Sequence, residues 1–154
     1  PKDVAGSVII STVEGTRPML LEMQALVSPT SYGIPKRTAT GVDYNRVGML
    51  LAVLEKRVGL QIQNQDVYLN IVGGIKINEP SIDLGIVIAI ASSFRNVAVD
   101  ETIAVTGEVG LTGEVRAVSF IEKRIAECKK LGFTKIVIPR NNYEVVKDTK
   151  GIEI

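Results

Sequence analysis

A chain of 154 residues, 45% hydrophobic and 23% charged, is sized for one globular domain with a substantial core. Its net charge of +1 excludes a global pull toward nucleic acid, so any such contact has to be a local patch. Histidine is absent and cysteine single (Cys128), which excludes the usual zinc ligand sets and an internal disulfide and fits a reducing, cytoplasmic setting.

No signal peptide is visible, and the longest apolar run, 84–91, is too short to cross a bilayer, so no membrane role is expected. The chain opens on Pro1-Lys2-Asp3 without an initiator Met, as expected of a fragment or processed product. With few aromatics and no Trp, base stacking is not expected to be widespread.

In chain order, 6–13 (GSVIISTV) alternates and is β-branched, and Glu14-Gly15 turns it into a second strand over 17–27. A polar loop with two prolines and a glycine follows at 28–37, long enough to suggest function. Asp43 is placed to cap a helix running to about Val58, with Val47, Leu50, Leu51, Leu54 and Val58 as its apolar stripe and Gly59 as its stop.

Residues 66–72 read as a strand and Gly73-Gly74 as a bend. A helix over 80–95 has Pro80 in its first turn and a body apolar on nearly every side, with Asp83 its one charge, so it is expected to be the buried central helix. Strands are expected at 102–108 and 114–118 around the turn 110–113. Ser119 and Glu122 have the spacing of a capping box for a helix with Ile121, Ile125, Cys128 and Leu131 on one face, ended by Gly132. A strand at 134–138 stops at Pro139 before a short helix. The tally is a mixed, layered α+β domain over residues 1–154, without internal repeats.

Few motifs carry chemistry. The glycine-rich stretch 107–113 lacks the Gly-Lys-Ser/Thr ending that holds phosphate and magnesium, and it joins two strands, so it reads as a plain turn. Ser81 lies near a helix start, where backbone N–H groups suit an oxyanion hole; serine is also simply common in a first helical turn. A nucleophilic serine needs a base. Basic residues fall into small groups, each compatible with a solvated surface. Lys36, Arg37 and Arg46, however, flank one loop-to-helix junction with Tyr32 beside them, a combination suited to phosphate contact and stacking.

Longer stretches carry a resemblance. VEGTRPMLLEMQALVSPTSYG (13–33), RTATGVDYNRVGMLLAVLEKR (37–57), NQDVYLNIVGG (64–74), EPSIDLGIVIAIASS (79–93), VTGEVGLTGEVRAV (105–118) and LGFTKIVIP (131–139) together resemble the C-terminal domain of the RadA (Sms) family of bacterial recombination proteins. That domain is itself similar to the Lon-type serine-lysine peptidase domain, with the ribosomal protein S5 domain 2-like fold. The Lon turn Lys-Asp-Gly-Pro-Ser-Ala-Gly is here Ile77-Asn78-Glu79-Pro80-Ser81-Ile82-Asp83, which puts the nucleophile on Ser81. Lon's Gly-Gly-x-x-x-Lys becomes Ser119-Phe120-Ile121-Glu122-Lys123-Arg124. Arginine stays protonated and cannot serve as the base, and the neighbouring Lys123 points about 100° away on its helix. The dyad is vestigial.

The resemblance implies that the longer protein is a hexameric, DNA-dependent ATPase acting as a helicase in homologous recombination and repair, driving branch migration. Its zinc finger and RecA-like ATPase core lie outside this chain. No cofactor is expected here, ATP, magnesium and zinc belonging to the longer protein. Expected partners are DNA, through low-specificity backbone contacts, copies of the chain in a ring, and a recombinase. Three readings stand: an inactive scaffold that contacts DNA through Lys36, Arg37, Arg46 and Tyr32; a working serine peptidase with another base; and a purely oligomerising module.

Overall fold

The computed structural model describes residues 4–154. Its strands are β1 (Ser7–Glu14), β2 (Arg17–Pro29), β3 (Arg37–Thr40), β4 (Gln65–Ile71), β5 (Ile103–Val105), β6 (Glu108–Val109), β7 (Val115–Arg116) and β8 (Lys135–Val137); its helices are α1 (Tyr44–Val53), α2 (Asp83–Arg95), α3 (Ile121–Lys130) and α4 (Tyr143–Val146). Six strands form one sheet in the order β3-β4-β2-β1-β5-β8, and β6 and β7 make a separate hairpin. β2 runs antiparallel to both its neighbours, while the pairs β3–β4, β1–β5 and β5–β8 are parallel. Gly15 supplies the positive φ of +64° that the two-residue turn between β1 and β2 requires.

Alternation along β1 divides the molecule. Val8 and Ile10 point to a core shared with α1 and α2, built on Met23, Leu50, Leu69, Ile71, Ile86 and Ile90. Ile9 points the other way, to a smaller core of Ala104, Ile121, Ile125, Cys128 and Ile136. The result is a mixed, mostly parallel sheet between two helical layers. α2 lies so close that a methyl group built on Gly85 would meet Ile10 Cγ2 at 2.1 Å. Its far end is tied to the sheet by side chains: Ser92 Oγ accepts from Gly6 N and Ser93 Oγ from Val27 N, each at 2.9 Å.

Most expected elements are present, with informative differences. β3 forms inside what reads as loop and helix approach, because it gains its ladder only from β4, distant in sequence. The helix after Asp43, whose carboxylate accepts from Asn45 N, is α-helical only to Val53, then closes in a wider π turn at 54–58 that leaves Val58 exposed and ends on Gly59 at φ +84°. The 80–95 helix begins as a 3₁₀ turn at Pro80–Ile82, and one of its flanks is only partly covered.

The strand expected over 102–108 breaks after Val105. Thr106 N still donates to Val137 O of β8, but Gly107 N donates to Ser81 O and Gly107 O accepts from Leu84 N, so the backbone leaves the sheet to clasp the start of α2. The Ser119–Glu122 capping box does not form: Phe120 is the cap residue, in the left-handed region and without a side-chain cap bond. Leu131 ends α3 exposed instead of continuing its buried face.

Replacing Gly85 with alanine is expected to cost about 1–3 kcal/mol through overpacking against Ile10, read as a lower urea midpoint at unchanged m-value.

Candidate functional site

Pro80 starts the 3₁₀ turn that leads into α2, and Glu79 caps it, its Oε2 accepting from Ser81 N at 2.6 Å. The same oxygen accepts the Ser81 hydroxyl. Arg124 reaches this turn from the first helical turn of α3, and its side chain has 0% exposure. Its Nη2 lies 2.5 Å from Glu79 Oε1, and its Nη1 donates to Ser81 Oγ at 2.8 Å and to Ser11 O at 2.9 Å. Nη1 is also 3.4 Å from Thr106 Oγ1, and Nε donates to Ser119 O at 2.8 Å.

The guanidinium therefore joins β1, the Ser81 turn, the end of β5 and the approach to α3. On β1, Ser11 Oγ and Thr12 Oγ1 are buried without a hydrogen-bond partner among the described residues.

The chemistry of this arrangement is unfavourable to a nucleophile. Ser81 is 2% exposed, its proton is directed at Glu79, and its oxygen takes a bond from a permanent cation. Among the described residues Glu79 is the carboxylate bonded to that proton, and both its oxygens are already engaged, Oε1 by the guanidinium and Oε2 by the Ser81 N–H. Lys123 is turned away: its Nζ lies 5.2 Å above the Phe120 ring and 3.4 Å from Thr16 O.

A second charged cluster lies at the base of α2. Asp83 is fully buried; Arg46 Nε donates to its Oδ1 at 2.9 Å, Arg46 Nη2 pairs with Oδ2, and Val109 N donates to Oδ2 at 3.0 Å. The bond to Asp83 raises the Arg46 pKa above its ordinary value, against the opposing effect of burial. Glu108, 3.8 Å from Arg46, is also 3.7 Å from Arg116, which pairs in turn with Glu114 at 2.9 Å. The Thr112 hydroxyl, followed by Glu114's own N–H and Arg116, holds the Glu114 carboxyl down to about 2.

The residues expected at a DNA surface separate. Tyr32, at the loop tip, is 92% exposed, and Lys36 is exposed. Arg37 is turned inward, donating to Gln65 O and, at 3.2 Å, to Ile62 O. Arg46 belongs to Asp83. The loop itself is drawn closed by Asp66, whose Oδ1 accepts from Lys36 N at 2.8 Å and Thr30 Oγ1 at 3.0 Å. The Lys36 amide is the main reason the Asp66 pKa falls below its ordinary value.

Two partners escape a reading of the sequence by residue type. Glu79 was visible only as part of the Ser81 turn, and an acidic residue two places before the serine is the signal that it caps that turn. Asp83, a lone charge on an apolar helix, is the usual mark of a buried ion pair, but its partner lies 37 positions away.

Residues 49–151 match the family described as the Lon protease (S16) C-terminal proteolytic domain, and the chain belongs to that family. It is 59% identical over 150 residues to the DNA repair protein RadA of Bacillus subtilis and 58% identical over 139 residues to that of Halalkalibacterium halodurans, covering 97% and 90% of this chain. The RadA of Listeria monocytogenes is 51% identical over 150 residues, again 97% of this chain. The chain spans about a third of the length of these relatives (33%, 30% and 33%), corresponding to their C-terminal part. Among the described residues, no helix is long and apolar enough to cross a membrane.

Removing the guanidinium by Arg124→Met takes a donor from Glu79 Oε1 and from the carbonyls of Ser11 and Ser119. The expected loss is about 3 kcal/mol, the low end for a broken buried pair because Glu79 keeps 25% exposure; chemical denaturation measures it. The lowered Asp66 pKa also fixes a sign. Its tie to the loop operates above the ordinary carboxylate value of 3.8 and is lost as pH falls through the lower folded value. The Lys36 amide proton resonance should therefore titrate with a midpoint below 3.8, and Asp66→Asn should abolish the transition.

Proposed function

We propose that this chain is a Lon-like domain without peptidase activity, serving a RadA-type DNA repair protein as a scaffold and a DNA-contact surface. One observation carries the first half: a buried Ser81 hydroxyl held between the Arg124 guanidinium and a Glu79 carboxylate that the same guanidinium neutralises. A serine so held has neither a free base nor access to a peptide bond. The second half draws support from the relatives, each named a DNA repair protein, and from the exposed Lys36 and Tyr32 on a loop that Asp66 holds in shape.

In this reading the longer protein is a DNA-dependent ATPase working as a helicase in recombination and branch migration, with ATP, magnesium and zinc bound outside this chain. The domain packs against copies of itself in a hexameric ring, and a recombinase is a further partner. The inward-facing Arg37 and Arg46 brace the platform, leaving Lys36 to meet phosphate and Tyr32 to meet a base.

The test is binding of the 154-residue chain to labelled single- and double-stranded DNA over a salt series. Association that weakens with salt is expected, and Lys36→Glu should lower affinity similarly for all sequences and reduce the salt slope by about one. A folded, concentrated chain that binds neither form at low salt would sink the DNA half and leave the scaffold alone.

A further inference from the structure

Phe120 has a backbone conformation that the fold explains and a side chain that it does not. Its φ of 56° and ψ of 37° lie where glycine is at ease and a bulky residue is a rare outlier. The conformation serves Arg124: at this turn the Ser119 carbonyl meets Nε at 2.8 Å and the Phe120 carbonyl accepts the Arg124 amide at 3.0 Å. A glycine would do the same with less strain, and the related peptidase motif has glycine here. The ring is 43% exposed, so burial offsets only part of the cost of holding it.

Its surroundings indicate what it meets. Lys123 sits over the ring at 5.2 Å and reaches the Thr16 carbonyl at 3.4 Å, which brings the β1–β2 turn alongside. The next residue in that turn, Arg17, is exposed and has no ion pair among the described residues. Glu14 and Glu122 are exposed nearby, so the patch is close to neutral and does not suit a ligand held by charge alone. The neighbours are polar, and a lone ring among them makes a poor seat for an apolar protein surface. A flat ring beside an ammonium suits one nucleotide, with its base against the ring and its phosphate toward the ammonium.

Resting on the DNA reading above, we propose that Phe120, with Lys123, is a stacking platform for an unpaired base of single-stranded DNA. A duplex, whose bases already stack on one another, gains nothing from it. The site is separate from Tyr32 and Lys36, at the turn beside the former catalytic position.

The experiment compares the 154-residue chain with Phe120→Gly and Phe120→Tyr for binding to an oligothymidine, binding to a duplex, and thermal unfolding. Phe120→Gly should weaken single-strand binding by about fivefold or more and leave duplex affinity and its salt slope unchanged. Its melting temperature should be no lower than that of the parent, because glycine accepts the backbone angle. Phe120→Tyr should keep single-strand affinity. Unchanged single-strand binding in Phe120→Gly overturns the platform and leaves the DNA reading standing. An equal loss on duplex, or a lower melting temperature in Phe120→Gly, assigns the ring a structural part and overturns it as well. Failure of the parent chain to bind any DNA overturns both.

Discussion

A guanidinium taken fully out of water is tolerable only if every face of it is answered, and Arg124 is answered from four directions. Its acceptors are the carbonyls of Ser11 and Ser119, the hydroxyl of Ser81 and the carboxylate of Glu79. Those groups belong to the central strand, the approach to α3 and the turn before α2, so one side chain fixes how three parts of the fold meet. The planar fork is what makes this possible: several N–H groups, spread in known directions, bond acceptors that a point charge would have to choose among. The left-handed backbone at Phe120 and the capped 3₁₀ turn at Pro80 both follow from the need to aim carbonyl and carboxylate at that fork.

The Arg46–Asp83 pair solves a similar problem at the base of α2. A carboxylate buried on an apolar helix needs compensation, and it receives both a guanidinium and the backbone amide of Val109. α1, α2 and the β6–β7 hairpin are thereby locked together. The same bonds occupy Nε and Nη2 of Arg46, whose side chain keeps 31% exposure. The cations that cluster in sequence at the loop-to-helix junction thus differ in how they are bonded. Of Lys36, Arg37 and Arg46, Lys36 is exposed, while the other two are half-buried against acceptors that are remote in sequence but adjacent in the fold.

Local patterns were legible. The alternation of β1, the stripe Val47, Leu50, Leu51 and Leu54, the Asp43 cap and the Gly59 stop could all be read directly, since each depends on neighbours within a turn or two. β3 could not, because a four-residue strand is defined by its partner β4. Nor could the break after Val105, which arises from the contacts of Gly107 with Ser81 and Leu84. Ser119 and Glu122 had the right spacing for a cap, but the Ser119 carbonyl was required by Arg124, and the tertiary demand prevailed. At the site, the arginine at position 124 was legible in the sequence; how its guanidinium is bonded required the fold.

That bonding gives the site a direction in time. A lysine at position 124 would bring one nitrogen to a place where three guanidinium nitrogens now serve separate acceptors, leaving some of Ser11 O, Ser119 O and Glu79 undersupplied. Under the inactive reading, the substitution that removed a proton acceptor also made the cation part of the framework. Restoring the older residue would then subtract from the framework before adding any chemistry. The cost of a lysine at position 124 is therefore set by the acceptors packed around the guanidinium and not by the chemistry the lysine would bring.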